Sequence, residues 1–231
     1  IRLSLVGSEM CIRDRIVALP AVLGIDNHSE VLADFKKILG AEVFEIASLP
    51  PCVPGMRLNN KLVATAKNER VDYVLGSKVT GCTVADGKVV SVTVGTAGAG
   101  KEIKADAVVL AGGGFESGAL KLDSHGHLHE TILDLPVTMP EGVKEEDLIH
   151  GDYWGSPQPL FLCGVEVDET MLVTYQGKPV HSNVYAAGGV IAGATRWQEK
   201  SGEGIALGSA IKAADAILSS VGAGAATKER N

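Results

Sequence analysis

Two apolar segments that each end abruptly in glycines constrain the fold of this 231-residue chain more than any other feature. The segments are ADAVVLAGGG (105–114) and NVYAAGG (183–189), and their composition predicts two short buried strands. A glycine at a strand end lets a ligand approach the backbone because no Cβ occupies that space. The structural alternative is that these glycines only permit tight turns and close packing of a helix against the sheet. The glycines concerned are Gly112, Gly113, Gly114, Gly188 and Gly189.

Strand-like and helix-like patterns alternate along the first third of the chain. From Ile16, IVALPAV predicts a buried strand, and VLADFKKIL predicts a helix because its apolar residues recur at helical spacing. We expect Asn27 or Ser29 to cap this helix and Gly40 to end it. The strand AEVFEI, a stiff proline loop at 48–55 and the helix MRLNNKLVATAKN follow.

The rest of the chain continues this alternation. VDYVLGSKVTGCTVADGKVVSVTVG predicts short strands with a turn at Asp86 and Gly87, and KEIKADAVVLA predicts one strand leading into the first glycines. Residues 115–160 contain four prolines and are predicted to be rich in loops. Strands then return, and GEGIALGSAIKAADAIL predicts a helix that begins around Gly202 and Gly204. This order indicates an α/β protein.

Charge and hydropathy exclude two kinds of partner. The formal net charge is -7 and no stripe of Lys and Arg occurs, so nucleic acid is not an expected partner. No apolar run approaches the roughly 18 residues of a membrane-spanning helix. Any association with a membrane is therefore expected to pass through another protein.

Cysteines and histidines give no firm metal signal. The four cysteines form no C-x-x-C pair, so neither a zinc nor an iron–sulfur ligand set is predicted and reduced thiols are expected. They are Cys11, Cys52, Cys82 and Cys163. The alternating His125, His127 and His129 can share one face of a strand as a metal site, and a polar solvated loop is the favoured alternative because no acidic or thiol ligand is spaced with them.

Five motifs carry a resemblance to a known family. They are SLPPCVPGMRLNNKL, VVLAGGGFESGAL, HETILDLPV, HGDYWGSPQP and GVEVDETM followed by NVYAAGGVIAG. In this order they resemble the B subunits of anaerobic glycerol-3-phosphate dehydrogenase, from Ile16 to about Leu218. The resemblance implies an α/β, Rossmann-like FAD/NAD(P)-binding flavoprotein fold similar to that of fumarate reductase. The family begins with a G-x-G-x-x-G strand–turn–helix, which these residues lack, so we expect a fold truncated at its amino terminus and lacking the first βαβ unit.

The resemblance also implies an activity and partners. The family oxidises sn-glycerol 3-phosphate to dihydroxyacetone phosphate and passes electrons to quinone in fumarate or nitrate respiration. Its B chain carries a flavin, FMN or FAD, and works with a catalytic flavoprotein, the A chain, and an iron–sulfur, membrane-anchoring C chain. We therefore expect a cytoplasmic protein that is peripheral on the inner face of the cytoplasmic membrane. Without the first βαβ unit the chain alone is expected to bind flavin weakly and to be inactive.

On this basis the chain divides into six segments. Residues 1–15 resemble a translated sequencing adapter and are excluded as a non-native leader. Residues 16–50 end an inserted or substrate-domain segment, and 51–120 form a flavin-domain segment with a helix, a β-meander and the first glycine-ended strand. Residues 121–182 form a loop-rich cap segment, 183–221 the terminal flavin-binding strand and helix, and 222–231 a disordered tail.

The family's flavin contacts carry over to two strand ends, one further strand and one helix start. Val79 and Thr80 match a strand that binds adenine through backbone groups, which applies only to FAD. N–H groups at the last helix start are expected to hold the flavin pyrimidine edge and to stabilise negative charge. There the chain reads EKSGEGI, where the family has a denser glycine run with a Cys, and we expect Glu203 to face solvent. The matched positions are Val79, Thr80, Ala111, Gly112, Gly113, Gly114, Gly188, Gly189, Gly202 and Gly204.

Catalytic assignments remain open. Arg57, with Asn59, is a candidate contact for a phosphate group or a surface arginine, and His181 is a candidate proton relay or a strand-end histidine. Arg196 and Trp197 either cover the flavin or face a partner protein. Two alternative functions remain: another fumarate reductase-like FAD-dependent oxidoreductase, which the scarcity of arginines after Ile16 disfavours, and a non-catalytic bridging subunit.

Overall fold

The computed structural model describes residues 16–47, 52–95, 100–152, 155–196 and 200–228. The chain divides into two compact units, residues 1–75 and 76–231. The predicted leader (1–15), the first half of the proline loop (48–51), Trp197 and residues 229–231 lie outside the described residues.

The first unit contains a parallel strand pair and two helices. Strand β1 (Ile16–Pro20) pairs with β2 (Glu42–Ile46) in parallel, and helix α1 (His28–Leu39) connects them. Asn27 is the N-cap residue of α1 but makes no side-chain capping bond, whereas Ser29 lies inside the helix. Gly40 ends α1 with a φ of 60°, as predicted. Helix α2 (Val53–Asn68) follows.

The second unit begins with an antiparallel meander. Strands β3 (Lys78–Ala85), β4 (Lys88–Gly95) and β5 (Lys101–Lys104) pair in the order β3-β4-β5. The predicted turn joins β3 to β4, and Asp86 and Gly87 both have positive φ, which matches the twist of a tight hairpin.

The predicted single strand over 101–111 is instead two strands in different sheets. The first is β5, and the second is β6 (Val108–Leu110), which pairs with a later strand, β12 (Val184–Ala186). The chain leaves the meander at Ala105, whose N–H still donates to the Val90 carbonyl at 3.0 Å. The next backbone partner is Asn183, whose carbonyl accepts from Val108 N–H at 3.0 Å and so begins the pairing with β12.

The predicted loop-rich region contains two short strands, and further short strands lie in the segment after it. Strands β7 (Leu120–Leu122) and β8 (Leu128–Glu130) form a hairpin. Strands β9 (Glu166–Val167), β10 (Val173–Tyr175) and β11 (Lys178–Pro179) form an antiparallel sheet. The core of this unit is a cluster of apolar side chains: Val89, Leu110, Leu120, Leu135, Val165, Val173, Val184, Ala186 and Val190.

Helix α3 (Gly202–Lys228) ends the described chain. It begins where the sequence predicts, but it also includes residues 222–228, which were predicted to be disordered. The three alanines in this segment favour a helix, whereas Gly222 and Gly224 disfavour it. None of the helices in the described part of the chain is both long and apolar enough to cross a membrane.

Candidate functional site

The two glycine-ended strands are direct neighbours. Strands β6 and β12 run in parallel, with Val184 opposite Val108 and Ala186 opposite Leu110. Ala187 N–H donates to the Leu110 carbonyl at 2.9 Å, so the pairing continues to the last residue before the glycines. Because parallel strands end at the same edge of a sheet, both glycine runs lie side by side, where ligands bind in α/β proteins.

Two of the five glycines are required by the turns themselves. Gly113 and Gly188 have φ values of 82° and 76°, a region that residues with a Cβ rarely adopt. The first turn is closed by Ser117, whose hydroxyl donates to the Gly112 carbonyl at 2.6 Å. The second is anchored to α3, because Gly188 N–H donates to the Ser209 hydroxyl at 2.9 Å. The structural alternative therefore accounts for these two glycines.

Gly114 and Gly189 have a different reason to lack a side chain. A Cβ on Gly114 would lie 2.8 Å from Nη2 of Arg196, and a Cβ on Gly189 would lie 2.5 Å from its Nη1. Arg196 Nη1 donates to the Gly189 carbonyl at 3.2 Å, and Nη2 is paired with the Glu116 carboxylate. The guanidinium thus occupies the space between the two strand ends.

The start of helix α3 lies beside this arginine. A Cβ on Gly202 would be 3.8 Å from Cβ of Arg196, whereas a Cβ on Gly204 would meet nothing within 4 Å. Glu203 is exposed, as predicted. The helix amino terminus adds partial positive charge to the positive guanidinium, so the region favours an anionic group.

A cavity of about 920 Å³ lies along β6 and its carboxyl end. It brings together four of the predicted cofactor residues from β3 and from the end of β6: Val79, Thr80, Ala111 and Gly112. Lys78 and Lys121 also line it. Its volume is within the range of about 300–1,000 Å³ that is typical of cofactor sites. Backbone from β3, Gly112 and two lysines around an apolar wall fit a nucleotide-containing cofactor.

The wall of this cavity depends on Glu130, which the sequence analysis did not single out. Its side chain is 2% exposed, and its carboxylate accepts from the N–H groups of Ile132, Leu133 and Leu135 at 2.7, 2.8 and 3.3 Å. Ile132 and Leu133 line the cavity. The available signal was weak: Glu130 is followed by Ile132 and Leu133, and a carboxylate buried beside apolar residues needs several donors.

Arg57, the predicted phosphate contact, forms an ion pair within the first unit. It is paired with Glu45 through Nη1 and Nη2, the second at 3.1 Å, and Nε donates to the Gly24 carbonyl at 2.7 Å. The hydrogen bonds from Arg57 lower the pKa of the Glu45 carboxyl. These contacts give the arginine a structural role, and its contact with a phosphate stays a prediction.

His181 lies at the end of β12 opposite to the glycines. Its neighbour Ser182 donates its N–H to the carbonyl of Gly87 in the β3–β4 turn at 3.0 Å. The Nδ1 atom of His181 is buried without a hydrogen-bond partner. A proton relay at the glycines would need this histidine at the carboxyl end of β12, whereas His181 precedes the strand. Its role as a proton relay stays a prediction.

The three alternating histidines surround a turn carboxylate at the β7–β8 hairpin. Asp123 Oδ1 accepts from the N–H groups of His125 and His127 at 2.8 and 2.9 Å, and Oδ2 lies 3.1 Å from Nε2 of His129. These bonds, that from His127 first, hold the pKa of Asp123 well below its usual range. All three histidines are exposed, so the region is a solvated hairpin rather than one strand face. Among the described residues no group of three potential ligands is placed to hold a metal.

The sequence comparisons define the class of protein. A family model described as an FAD binding domain matches residues 8–205, and the chain belongs to this family. The flavin is therefore FAD, which decides between the two predicted forms of the cofactor. No solved structure is significantly similar to the chain.

Three curated relatives narrow the resemblance, and each is named as a B subunit of anaerobic glycerol-3-phosphate dehydrogenase. The relative from Halobacterium salinarum is named a probable B subunit of this enzyme. The chain is 30% identical to it over 208 residues, which cover 89% of this chain and 47% of the relative. It is 29% identical over 212 residues to that of Actinobacillus pleuropneumoniae, covering 88% and 47%. For Haemophilus influenzae the identity is 28% over 206 residues, covering 87% and 46%. The predicted resemblance is confirmed, and the chain spans about half the length of these relatives.

Proposed function

We propose that the chain is the FAD-binding part of the B subunit in an anaerobic glycerol-3-phosphate dehydrogenase. The complex would oxidise sn-glycerol 3-phosphate to dihydroxyacetone phosphate and pass the electrons to quinone. The observation that carries this proposal is the parallel pairing of β6 and β12, which sets two glycine-ended strands and the start of α3 at one edge. The names of the relatives support the reaction.

The roles of individual residues follow from their positions. Val79 and Thr80 would hold the adenine through backbone groups, and Ala111 and Gly112 would line the nucleotide site at the end of β6. The second strand end, Gly188 and Gly189, would hold the flavin with the first N–H groups of α3, at Gly202 and Gly204. When bound, FAD supplies a two-electron acceptor that can pass electrons on singly. Gly113 and Gly114 would shape the first turn beside it, with Gly114 leaving room for Arg196.

The relatives are named as B subunits, which supports the presence of companion subunits. In this proposal a catalytic flavoprotein, the A chain, carries out the oxidation, and an iron–sulfur C chain anchors the complex at the inner face of the cytoplasmic membrane. FAD held by this chain would supply an electron carrier between the oxidation of the substrate and the C chain. The present chain alone is expected to bind FAD weakly and to show no dehydrogenase activity.

Titration with FAD, followed by quenching of flavin fluorescence, tests the cofactor assignment. Ala111 is exposed and lines the cavity, so Ala111→Leu should fill part of it and weaken FAD binding about tenfold or more. Ala214→Leu, at an exposed position of α3, is the matched control and should leave the affinity unchanged.

The same titration on a complex assembled with both companion chains separates the alternatives. Flavin absorbance in the complex that Ala111→Leu reduces supports the proposal. An assembled complex in which this chain holds no flavin would favour the non-catalytic bridging role. Fumarate reduction without glycerol 3-phosphate oxidation would favour the fumarate reductase-like enzyme.

A further inference from the structure

Arg196 holds an unusual position for a charged side chain. Its side chain is 19% exposed and lies between the ends of β6 and β12, against Gly114 and Gly189. Its guanidinium carbon lies 5.3 Å from the centroid of the Phe161 ring, which covers one face of the group. The edges of the guanidinium are therefore the surfaces at which it can bind an acceptor.

The acceptor that Nη2 contacts is itself largely in solvent. The Glu116 side chain is 62% exposed, although it is paired with an arginine that is mostly buried. An ion pair with one exposed partner contributes little to stability, because water competes for the carboxylate. Glu116 also lies in a turn between Gly113 and Gly118, both with positive φ. Its withdrawal would leave the guanidinium in place, since Phe161 and the Gly189 carbonyl hold it independently.

We propose that Arg196 binds a phosphate group at the paired strand ends. In the absence of that phosphate, the Glu116 carboxylate is paired with the arginine, and the phosphate displaces the carboxylate when it binds. A guanidinium fork binds phosphate and carboxylate with the same paired geometry, so one can substitute for the other. A Cβ at position 114 or 189 would collide with the guanidinium, so the two glycines make room for this group. The start of α3 beside Arg196 favours an anion at the same place.

This inference rests on the proposed function for the source of the phosphate. The two phosphate compounds of that function are FAD, through its pyrophosphate, and sn-glycerol 3-phosphate. Both present the same oxyanion chemistry to Arg196. The site is distinct from the cavity lined by Val79 and Thr80, which Arg196 does not line.

Calorimetric titration of the full chain with inorganic phosphate at low ionic strength tests the site without flavin. Glu116→Gln removes the competing charge, and the dissociation constant for phosphate should fall about tenfold. Arg196→Lys keeps the charge but loses the fork, and the constant should rise about tenfold. Glu169→Gln, which removes one charge at an exposed turn, is the matched control and should change nothing. Circular dichroism checks that each variant is folded.

Titrations with FAD and with sn-glycerol 3-phosphate then identify the source. Weaker binding of FAD by Arg196→Lys assigns the phosphate to the cofactor, and weaker binding of glycerol 3-phosphate alone assigns it to the substrate. Equal phosphate affinities in the wild-type chain, Glu116→Gln and Arg196→Lys would overturn the proposal. If Arg196→Lys does not fold, the Glu116→Gln comparison decides alone. Phosphate binding that depends on Arg196, together with an assembled complex in which this chain holds no FAD, would refute the proposed function and leave this site standing.

Discussion

The side-chain amide of Asn183 binds the backbone of Val89 through both its oxygen and its nitrogen. Oδ1 accepts from Val89 N–H at 2.9 Å, and Nδ2 donates to the Val89 carbonyl at 2.8 Å. Nδ2 also donates to the Asp106 carbonyl at 2.9 Å. Because Asn183 directly precedes β12, these bonds join the meander to the parallel pair that carries the candidate site.

Asn183→Leu should therefore destabilise the second unit. The side chain is 7% exposed, and its replacement leaves one N–H and two carbonyls without their partner. We expect the free energy of unfolding, measured by urea denaturation, to fall by about 2–4 kcal/mol. Ser182→Ala, at the exposed neighbouring position, should have an effect below about 0.5 kcal/mol. Equal effects of the two substitutions would show that the amide network contributes nothing.

Gly164→Ala should disturb the backbone that leads from β12 to Arg196. The added Cβ would lie 2.5 Å from Ala192 N and 2.6 Å from the Val190 carbonyl oxygen. Backbone atoms cannot rotate away as a side chain can, so we expect a loss of about 1–3 kcal/mol or more in the free energy of unfolding. Gly81→Ala, where a Cβ would meet nothing within 4 Å, is the matched control. A Gly164→Ala chain as stable as this control would contradict the observed contact.

The Glu45–Arg57 pair should make stability depend on acid pH. Hydrogen bonds from Arg57 lower the pKa of Glu45 in the folded chain, so the pair contributes fully above the unfolded value of about 4.3. Its contribution is lost as the pH falls through the lower, folded pKa. Arg57→Met should reduce the free energy of unfolding by about 1–3 kcal/mol at pH 7, and this difference should shrink below about pH 4.

Denaturation curves at several pH values measure that difference. Lys36→Met is the control, because the Lys36–Glu42 pair is exposed and should contribute about 0–1 kcal/mol. A cost of Arg57→Met that stays constant down to pH 2 would exclude the ion pair as its origin.

Two thiols, that of the buried Cys163 and that of the half-buried Cys82, should resist alkylation. Cys163 is 2% exposed, and burial raises its pKa to about 11, so only about one thiol in a thousand is ionised at pH 8. Burial, and secondarily the charge of Glu130, raises the pKa of Cys82. Peptide mapping after iodoacetamide treatment should show little labelling of either residue until the chain is unfolded. Rapid labelling of Cys163 in the native chain would contradict its burial.

Local features of the sequence predicted much of the secondary structure. Gly40 ended α1, the Asp86–Gly87 pair formed the hairpin turn, and Gly202 began α3, because each depends on the conformation of a few adjacent residues. The break between β5 and β6 was not predicted, since it depends on Asn183, which is remote in the sequence. Glu130 was missed for a similar reason, because a buried carboxylate is recognised by the donors that surround it.

The sequence indicated the two glycine-ended strands and named Arg196 as a candidate, but it did not show how they are arranged, and the cofactor contacts stay a prediction. Glycine runs mark where a strand ends, but they do not show that β6 and β12 are neighbours or that Arg196 lies between them. His181 was proposed because it is close to Gly188 in sequence. His181 precedes β12 and the glycines follow it, so the strand separates the histidine from the edge that holds the glycines.

The contact between Val89 and Asn183, 94 positions apart, has a consequence for protein synthesis. A ribosome would complete the meander and β6 well before it adds Asn183, β12 and α3. During that interval the nascent chain would expose one edge of β6 without its β12 partner, and the proposed FAD site would lack its second strand end. Cofactor loading would therefore be one of the last steps in the maturation of this chain.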